Sequence, residues 1–485
     1  MADLRKLIEL AYPEEAGDTA YSVFTEKQLA QLRKLIKYYD YYENDVFKHI
    51  IEKYPEFKQT TERKPAQIPV NYSRYIVDKL ADWQFEKPID ITVSTDKKAN
   101  EKKAEVVEQD LYNIHKVNGM NLKLQQAAKE CNISGGVVFK MIYDDKLGIR
   151  FLPRPRIECF PVTEFDDYEK LIKVHFIAFK SDDIIWKQTF EMINGKCLFE
   201  EATYNVMQNL KVEEVIQAPI FLGSGKKYLD FMPVYIIPNN PALGMVFGYS
   251  DLVDLIPMID ELNKKYSDSS DALRFEMFAI TIMLNIKQFT DAQGKKSRPI
   301  TKAGAVWDLI SAGTGEIKPD IFKLESKFSY TDALKTHMEK LTGLIFQFSS
   351  VCQINLDTIN KLGNLSGVAL KLMFASIISK TSVKNTIWNP KLVQMYSDSL
   401  KMRAVYETYS YPEDINIEII QHIPIPQNEL EQIQIAVQKL IVGLTSIKRE
   451  MDLMGVENPE LLMAEILKEQ KEADKNLPDV YNENK

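Results

Sequence analysis

The stretch NNPALGMVFGYSDLVDLIPMIDELNKKYSDSSDALRF, Asn239 to Phe275, decides the fold. It opens on a turn punctuated by Pro238, Pro241, Gly244 and Gly248 and then carries one long helical pattern. Ser250 is placed to cap that helix, with Asp251 and Asp254 in a first turn where carboxylates complement the helix dipole. Ile256, Ile259, Leu262, Tyr266, Ser269 and Leu273 recur at three- and four-residue spacing. Between them runs a charged face of Asp260, Glu261, Lys264, Lys265, Asp268 and Asp271. So narrow an apolar stripe suits a strut packed among copies of itself better than the wall of a substrate pocket.

Working outward, residues 25–45 read as a helix that opens with Thr25 and Gln28 in capping-box spacing and ends in KYYDYYEND, whose tyrosine rings suit a core and whose hydroxyls suit water. Residues 100–132 read as helix again, with Val106, Val107, Leu111, Ile114, Leu122 and Leu124 as its apolar positions. Between Gly135 and Pro238 the pattern changes to strands: VVFKMIYD, GIRFLP, KVHFIAF, IIWKQTFEMI, KCLFEEATY and MPVYIIP, separated by Gly, Asn and Asp turns. The class is α+β, with a mainly antiparallel sheet between helices. Past the long helix, TIMLNIKQF, AGAVWDLI and DIFKLES are short strands bracketing GKKSRP and AGTGEIKP. A second long helix covers residues 331–351 on a stripe of Leu334, Met338, Leu341, Ile345 and Phe348. Periodicity lapses between Cys352 and Leu365. A third long helix starts at Ser366 and is expected to bend or end near Asn389 and Pro390. INIEIIQHIPIP is a last strand, and two helices close the chain, the second starting at Pro459.

At 485 residues the chain is long enough for two to four domains, and 45% hydrophobic content supplies a core. The net charge of −8 disfavours a protein that grips nucleic acid by neutralising phosphates, but not one that lets DNA pass along an acidic wall. The four cysteines, Cys131, Cys159, Cys197 and Cys352, form no CxxC pair, so a reducing compartment is the simpler expectation. The first residues do not form a signal peptide, and the longest apolar run, Phe278 to Leu284, is far short of the ~20 residues that span a bilayer. A soluble chain with no membrane partner is expected.

Catalytic signatures are missing. GSGKK at residues 223–227 lacks the upstream glycine of a phosphate loop and has Lys227 where a hydroxyl should bind magnesium. GNLSG places its serine one position too late for a nucleophile elbow. His49, His115, His175, His337 and His422 stand apart, without HxxxH spacing. No catalytic, cofactor-binding or metal-binding residue is assigned, and the expectation is a protein that is not an enzyme.

The pattern NN-P-x-x-G-x-x-x-x-SDL-x-x-L-I-x-x-ID-x-LN, ending in DALRF, resembles the first stem helix of portal proteins, the head–tail channel proteins of tailed double-stranded DNA bacteriophages. Within that family it is most similar to the branch found in long-tailed phages of Gram-positive hosts. Three further segments resemble the same branch in the expected order: NYSRYIVDKLADWQFEKPI at 71–89, GIRFLPRPRIECFPV at 148–162 and GNLSGVALKLMFASIISKT at 363–381.

The resemblance implies a wing over residues 1–248, a first stem helix at 249–278, a clip at 279–328 and a second stem helix at 329–351. A tunnel loop follows at 352–365, then a long helix with the last wing strand at 366–427, and a helical crown with its tail at 428–485. It implies a ring, usually of twelve copies, at one capsid vertex, through which double-stranded DNA is packaged and ejected. Implied partners are the terminase large subunit, a head-completion or tail adaptor, and the major capsid and scaffolding proteins. Gln353, Asn355, Asp357, Asn360, Lys361 and Asn364 would line the channel, and Lys295, Lys296 and Arg298 would face the motor. Asp260, Lys264, Lys265, Asp268 and Asp271 would lie between subunits. No cofactor is implied. Two other classes predict different features. A nucleic-acid enzyme requires an ATP loop or clustered carboxylates, and an intracellular scaffold requires sustained heptads. Neither pattern is found.

Overall fold

A computed structural model describes residues 4–12, 20–61, 64–208, 210–277, 281–284, 320–323, 331–353, 371–424 and 429–445, with a few positions beyond. The chain divides into two compact units, one of residues 1–353 with 376–423, the other of residues 354–375 with 424–485.

The first unit begins with α1 (Leu4–Ala11), α2 (Ala20–Tyr42), α3 (Phe47–Lys53) and α4 (Tyr72–Phe85). Strand β1 (Asp90–Thr95) follows, then α5 (Glu101–Val117) and α6 (Met120–Ser134). The helical region expected over 100–132 is present as two helices, broken at Gly119, whose φ of 58° ends α5 and starts α6. Of its apolar positions, Val106 and Leu122 are exposed.

The strand region holds two antiparallel sheets and one small hairpin. In the smaller, the order is β11 (Val234–Pro238), β2 (Gly136–Asp144), β3 (Gly148–Pro155). The larger runs β4 (Cys159–Thr163), β5 (Leu171–Phe179), β6 (Ile184–Ile193), β7 (Lys196–Asn205), β8 (Lys211–Phe221). Residues 136–141 of β2 are buried on both faces, because helices cover one side and the larger sheet the other. Lys140 donates to Gln188 Oε1 at 2.7 Å and lies over the Phe176 and Trp186 rings. Burial pushes its ammonium down to about 8, assisted by Arg154. Helices α1 and α2 close a second core on the larger sheet, where Leu7, Ile8, Leu32 and Leu35 meet Phe160, Ile177 and Ile185.

Gly223–Ser224 (β9) and Lys227–Tyr228 (β10) form a two-residue hairpin, so GSGKK is the turn that its sequence suggested. Strands β1, β4 and β8 escaped the sequence reading. Strand β8 is exposed along nearly its whole length and shows no burial alternation, so no period of two could mark it. Strand β1 pairs with β14 (Ile415–Ile420) in register from Asp90–Ile420 to Thr95–Ile415, across more than 300 residues of chain.

Beyond β11 come α7 (Ile256–Met277), β12 (Thr281–Leu284), β13 (Asp320–Lys323), α8 (Thr331–Ser349) and α9 (Ala375–Tyr406). Strands β12 and β13 pair antiparallel, from Thr281–Lys323 to Leu284–Asp320; AGAVWDLI lies outside the described residues. Helix α8 ends two residues earlier than expected, at Ser349, where Ser350 turns the chain with φ 63°. Of the two outcomes expected at Pro390, an end is excluded: α9 carries the proline inside it and runs on to Tyr406. Trp388, Leu392, Met395, Tyr396 and Leu400 are all buried on it, and that packing outweighs the hydrogen bond the proline removes.

In the second unit α10 (Glu429–Ile441) buries Ala436 and exposes Ile433, Val437 and Ile441, and Lys439 reaches Glu450 at 3.4 Å. Most of the closing helix expected from Pro459 lies outside the described residues.

Candidate functional site: the long helix and its buried root

The segment that joins β11 to α7 is built around one carboxylate. Asp251 Oδ2 lies 2.6 Å from Lys384 Nζ, and Oδ1 lies 2.8 Å from Lys380 Nζ, both lysines on α9. Asn239 Nδ2 donates to Asp251 Oδ2 at 2.9 Å and to the Tyr249 carbonyl at 2.9 Å, and Asn240 Nδ2 donates to Asp251 Oδ1 at 3.2 Å. Lys384 also donates to Asn132 Oδ1 on α6 and to Asn239 Oδ1, at 2.6 and 2.7 Å. Burial alone would raise the Asp251 carboxyl; the two ammonium groups outweigh it and hold the group well below the ordinary carboxylate range. A buried charge persists only when paired and hydrogen-bonded in this way.

The NN…SDL pattern is therefore a hub, and two expectations are corrected. Residues 251–255 form turns and α7 begins at Ile256. Ser250 caps a local turn instead: its Oγ accepts from the Leu252 amide at 3.0 Å and donates to the Asn132 carbonyl at 3.2 Å. Asp251 is drawn inward by the lysines rather than left at a helix N-terminus.

Backbone closeness completes the hub. The amides of Asn239 and Gly248 both donate to the Gly135 carbonyl, at 3.0 and 2.9 Å. Arg156 then spans Ser134 and Gly248, donating from one nitrogen to both carbonyls at 2.6 and 3.0 Å.

Along α7 the apolar stripe holds at Ile256, Ile259 and Leu262, which are buried, and fails at Leu273, which is 58% exposed. A second, polar stripe at four-residue spacing faces residues 64–70. Ala66 N–H donates to both Asp271 oxygens at 3.1 and 3.0 Å, Ile68 N–H to Ser267 Oγ at 3.1 Å, and Val70 N–H to Asn263 Oδ1 at 2.9 Å. Two extended residues advance about 6.6 Å and four helical residues about 6.0 Å, so alternate amides meet successive turns of the helix. Pro65 and Pro69 fall in the other phase, where no amide is needed.

The residues expected between subunits divide accordingly. Asp260 is not on a solvated face: it is 5% exposed and accepts the Tyr41 hydroxyl within its own chain. Asp271 holds the Ala66 amide. Lys264 lies over the Tyr54 ring at 4.1 Å, Lys265 pairs with Glu261 at 3.3 Å, and Asp268 is exposed. The tyrosine-rich end of α2 also departs from expectation, because its hydroxyls go to carboxylates rather than water: Tyr39 to Glu130, Tyr41 to Asp260, Tyr42 to Asp78. Gln353 is exposed at the end of the described segment after α8. Asn355, Asp357, Asn360, Lys361, Asn364, Lys295, Lys296 and Arg298 lie outside the described residues.

Helices α7 and α8 pack on each other, joined through β12 and β13. On α8 only Ile345 and Ser349 are buried, while Leu344 and Phe348 are 40% and 61% exposed. Among the described residues no group of three or more His, Cys, Asp or Glu is placed to hold a metal ion, and no helix is long and apolar enough to cross a membrane. Four of the five histidines are engaged in local contacts: His115 meets Tyr396 and Asn121, His175 meets Thr189, and His49 and His422 meet Asp40 and Asp90.

The two long helices pack on each other, and the paired charges of Asp251, Lys380 and Lys384 lie at the root of the first. The profile of the family described as phage portal protein, SPP1 Gp6-like, matches residues 22–476. The chain belongs to that phage portal family. A comparison with functionally curated proteins finds no match. Among solved structures this portal chain is similar to one in the virion of a native gene transfer agent particle, at 11% identity and a TM-score of 0.45, covering 81% of this chain and 96% of that one. It is also similar to a chain in the neck of an empty gene transfer agent particle computed with C6 symmetry, at 12% identity and a TM-score of 0.46, with the same coverage.

Proposed function

We propose that this portal protein forms a closed ring at one capsid vertex, with twelve copies as the family resemblance implies, and that double-stranded DNA enters and leaves through its channel. The observation that carries the ring is α8, which leaves Leu344 and Phe348 exposed one turn apart on a helix with only two buried positions. A helix so incompletely covered by its own chain is served by a neighbouring copy. Each copy would present two different faces, and rotation would close the contact.

In this reading α7 and α8 are the stem, residues 279–328 the clip and residues 428–485 the crown. Residues 352–365 line the channel, where Gln353, Asn355, Asn360 and Asn364 touch a duplex without gripping it and Asp357 offsets Lys361. Lys295, Lys296 and Arg298 meet the terminase large subunit and later a tail adaptor. The same reading places the chain in the branch of long-tailed phages of Gram-positive hosts, assembled in the host cytoplasm with scaffolding and major capsid proteins. No cofactor or catalysis is required.

Negative-stain imaging of the purified chain tests the ring, with assembly followed by mass photometry. Rings with a central hole are expected. Particles that stay monomeric at high concentration and in the presence of scaffolding protein would refute the proposal.

A further inference from the structure

Lys380 and Lys384 stand one turn apart on α9 and share one carboxylate, but they hold it differently. The Lys384 side chain is 3% exposed, and its ammonium is fixed by Asp251, Asn132 and Asn239. Withdrawing it would strand three polar groups in the interior, a loss that a folded protein does not tolerate locally. The Lys380 side chain is 18% exposed. Its Nζ bridges Asp251 Oδ1, at 2.8 Å, to the carbonyl of Ser349 in the last turn of α8, at 3.1 Å. It borders an open cavity of about 460 Å³ lined also by Asn240, Tyr249, Asp254 and Phe348.

We propose that Lys384 is a permanent anchor and Lys380 a releasable latch, which fastens the C-terminal end of α8 to the root of α7. When Lys380 swings into the cavity, Asp251 remains neutralised by Lys384, so the carboxylate is never left unpaired. Water in the open cavity replaces the lost contacts of Lys380, and the Ser349 carbonyl loses a charge-assisted hydrogen bond. The Ser350 backbone, held at φ 63° beside this contact, is a conformation that side chains disfavour, and it relaxes once the carbonyl is free. The end of α8 can then detach while the hub of Asp251, Lys384, Asn132 and Asn239 stays folded. The device is independent of ring formation and operates within one chain.

Amide hydrogen exchange on the full chain, compared at matched oligomeric state, tests the latch. In Lys380→Met, exchange over residues 345–353 should rise about tenfold while residues 120–134 of α6 keep their protection. Raising salt to about 1 M should loosen the same segment in the wild type and have no further effect in the variant. Lys380→Arg should restore protection, and Lys384→Met should lower the stability of the whole unit. Unchanged exchange over 345–353 in Lys380→Met would overturn the proposal. So would an equal rise over residues 120–134, because anchor and latch would then be one cooperative unit.

Discussion

Gly248 is pressed against Asn239 so closely that a Cβ on the glycine would stand 1.7 Å from the Asn239 carbonyl oxygen. Gly135 completes the contact: its own Cβ would fall 2.4 Å from the Gly248 carbonyl. The two glycines let three backbone segments meet at the root of α7, and the side chains of Asn239 and Asp251 are aimed by that meeting. Gly248→Ala should therefore cost more than about 4 kcal/mol and yield insoluble chain, since backbone rather than a flexible side chain must move. Gly244 is the control. Its φ is 77°, but nothing lies within 4 Å of its Cβ position, so Gly244→Ala should cost about 1 kcal/mol of backbone strain. Urea denaturation of both variants measures the difference, and equal losses would refute the close-contact account.

The polar stripe on α7 makes a second prediction. Ser267 is fully buried and receives the Ile68 amide, so Ser267→Ala leaves a buried donor unpaired and should cost about 1–3 kcal/mol. Asp271 is 37% exposed, and water can replace it at the Ala66 amide; Asp271→Ala should cost about 1 kcal/mol or less. Limited proteolysis should show faster cleavage near residues 64–70 in the first variant. If Ser267→Ala proves neutral in denaturation and in proteolysis, the zipper between strap and helix contributes nothing.

Much of this architecture was legible because periodicity records burial. The α+β class, both long helices, most of the central strands and the β14 strand follow from apolar spacing. Much of what escaped is either exposed along its length, as β8 is, or depends on distant partners. Strand β1 is made a strand by β14, more than 300 residues away. Asp251 looks like a first-turn carboxylate and Asp260 like a member of a charged face, and only the fold brings Lys384 and Tyr41 to them. Asn263 and Ser267 sit at helical spacing, but their role is set by an extended segment in which Pro65 and Pro69 mark the unused phase. That alternation, paired with a four-residue polar repeat, was the one available signal for the strap. The hub had a signal too: the Asn-Asn and Ser-Asp pairs flank a glycine-bearing turn, the composition of a polar knot.

His175 makes the acid stability testable. On β5 it is 5% exposed, with Nδ1 2.9 Å from Thr189 Oγ1. Burial, with Lys187 and Lys173 nearby, pushes its imidazole down from 6.5 to about 3. The unfolded chain therefore binds a proton below pH 6.5 that the folded chain refuses until about pH 3. The contribution to stability is complete above pH 6.5 and is lost as the pH falls towards 3, amounting to about 2 kcal/mol at pH 5. His175→Gln should have a flatter acid limb than the wild type by that amount. Glu130, raised by burial, acts in the opposite sense but is common to both proteins and cancels in the difference. Parallel stability curves between pH 7 and 5 would show that His175 titrates normally.

For the channel, Asn360 is the residue to probe. Residues 352–365 are rich in uncharged amides, with Asp357 and Lys361 nearly cancelling. Asn360→Cys carrying a photoactivatable cross-linker should give adducts with encapsidated DNA. The same label on Asp145, in the exposed β2–β3 turn, should give none. Absence of an adduct at Asn360 in DNA-filled particles would remove this segment from the channel wall.

The proposed ring is tested at Phe348. It is 61% exposed in the single chain, one turn from Leu344, and burying such a side chain against a neighbour is worth up to about 1.5–3 kcal/mol per copy. Multiplied around a closed ring, the loss of that contact outweighs any single-chain effect. Phe348→Asp should leave monomer stability within about 0.5 kcal/mol of wild type, because the site is exposed, and should abolish rings in mass photometry. Ile345, three residues earlier and 0% exposed, gives the opposite outcome: Ile345→Asp should unfold the chain. Rings of unchanged stability from folded Phe348→Asp protein would show that copies meet through some other face than that of α8.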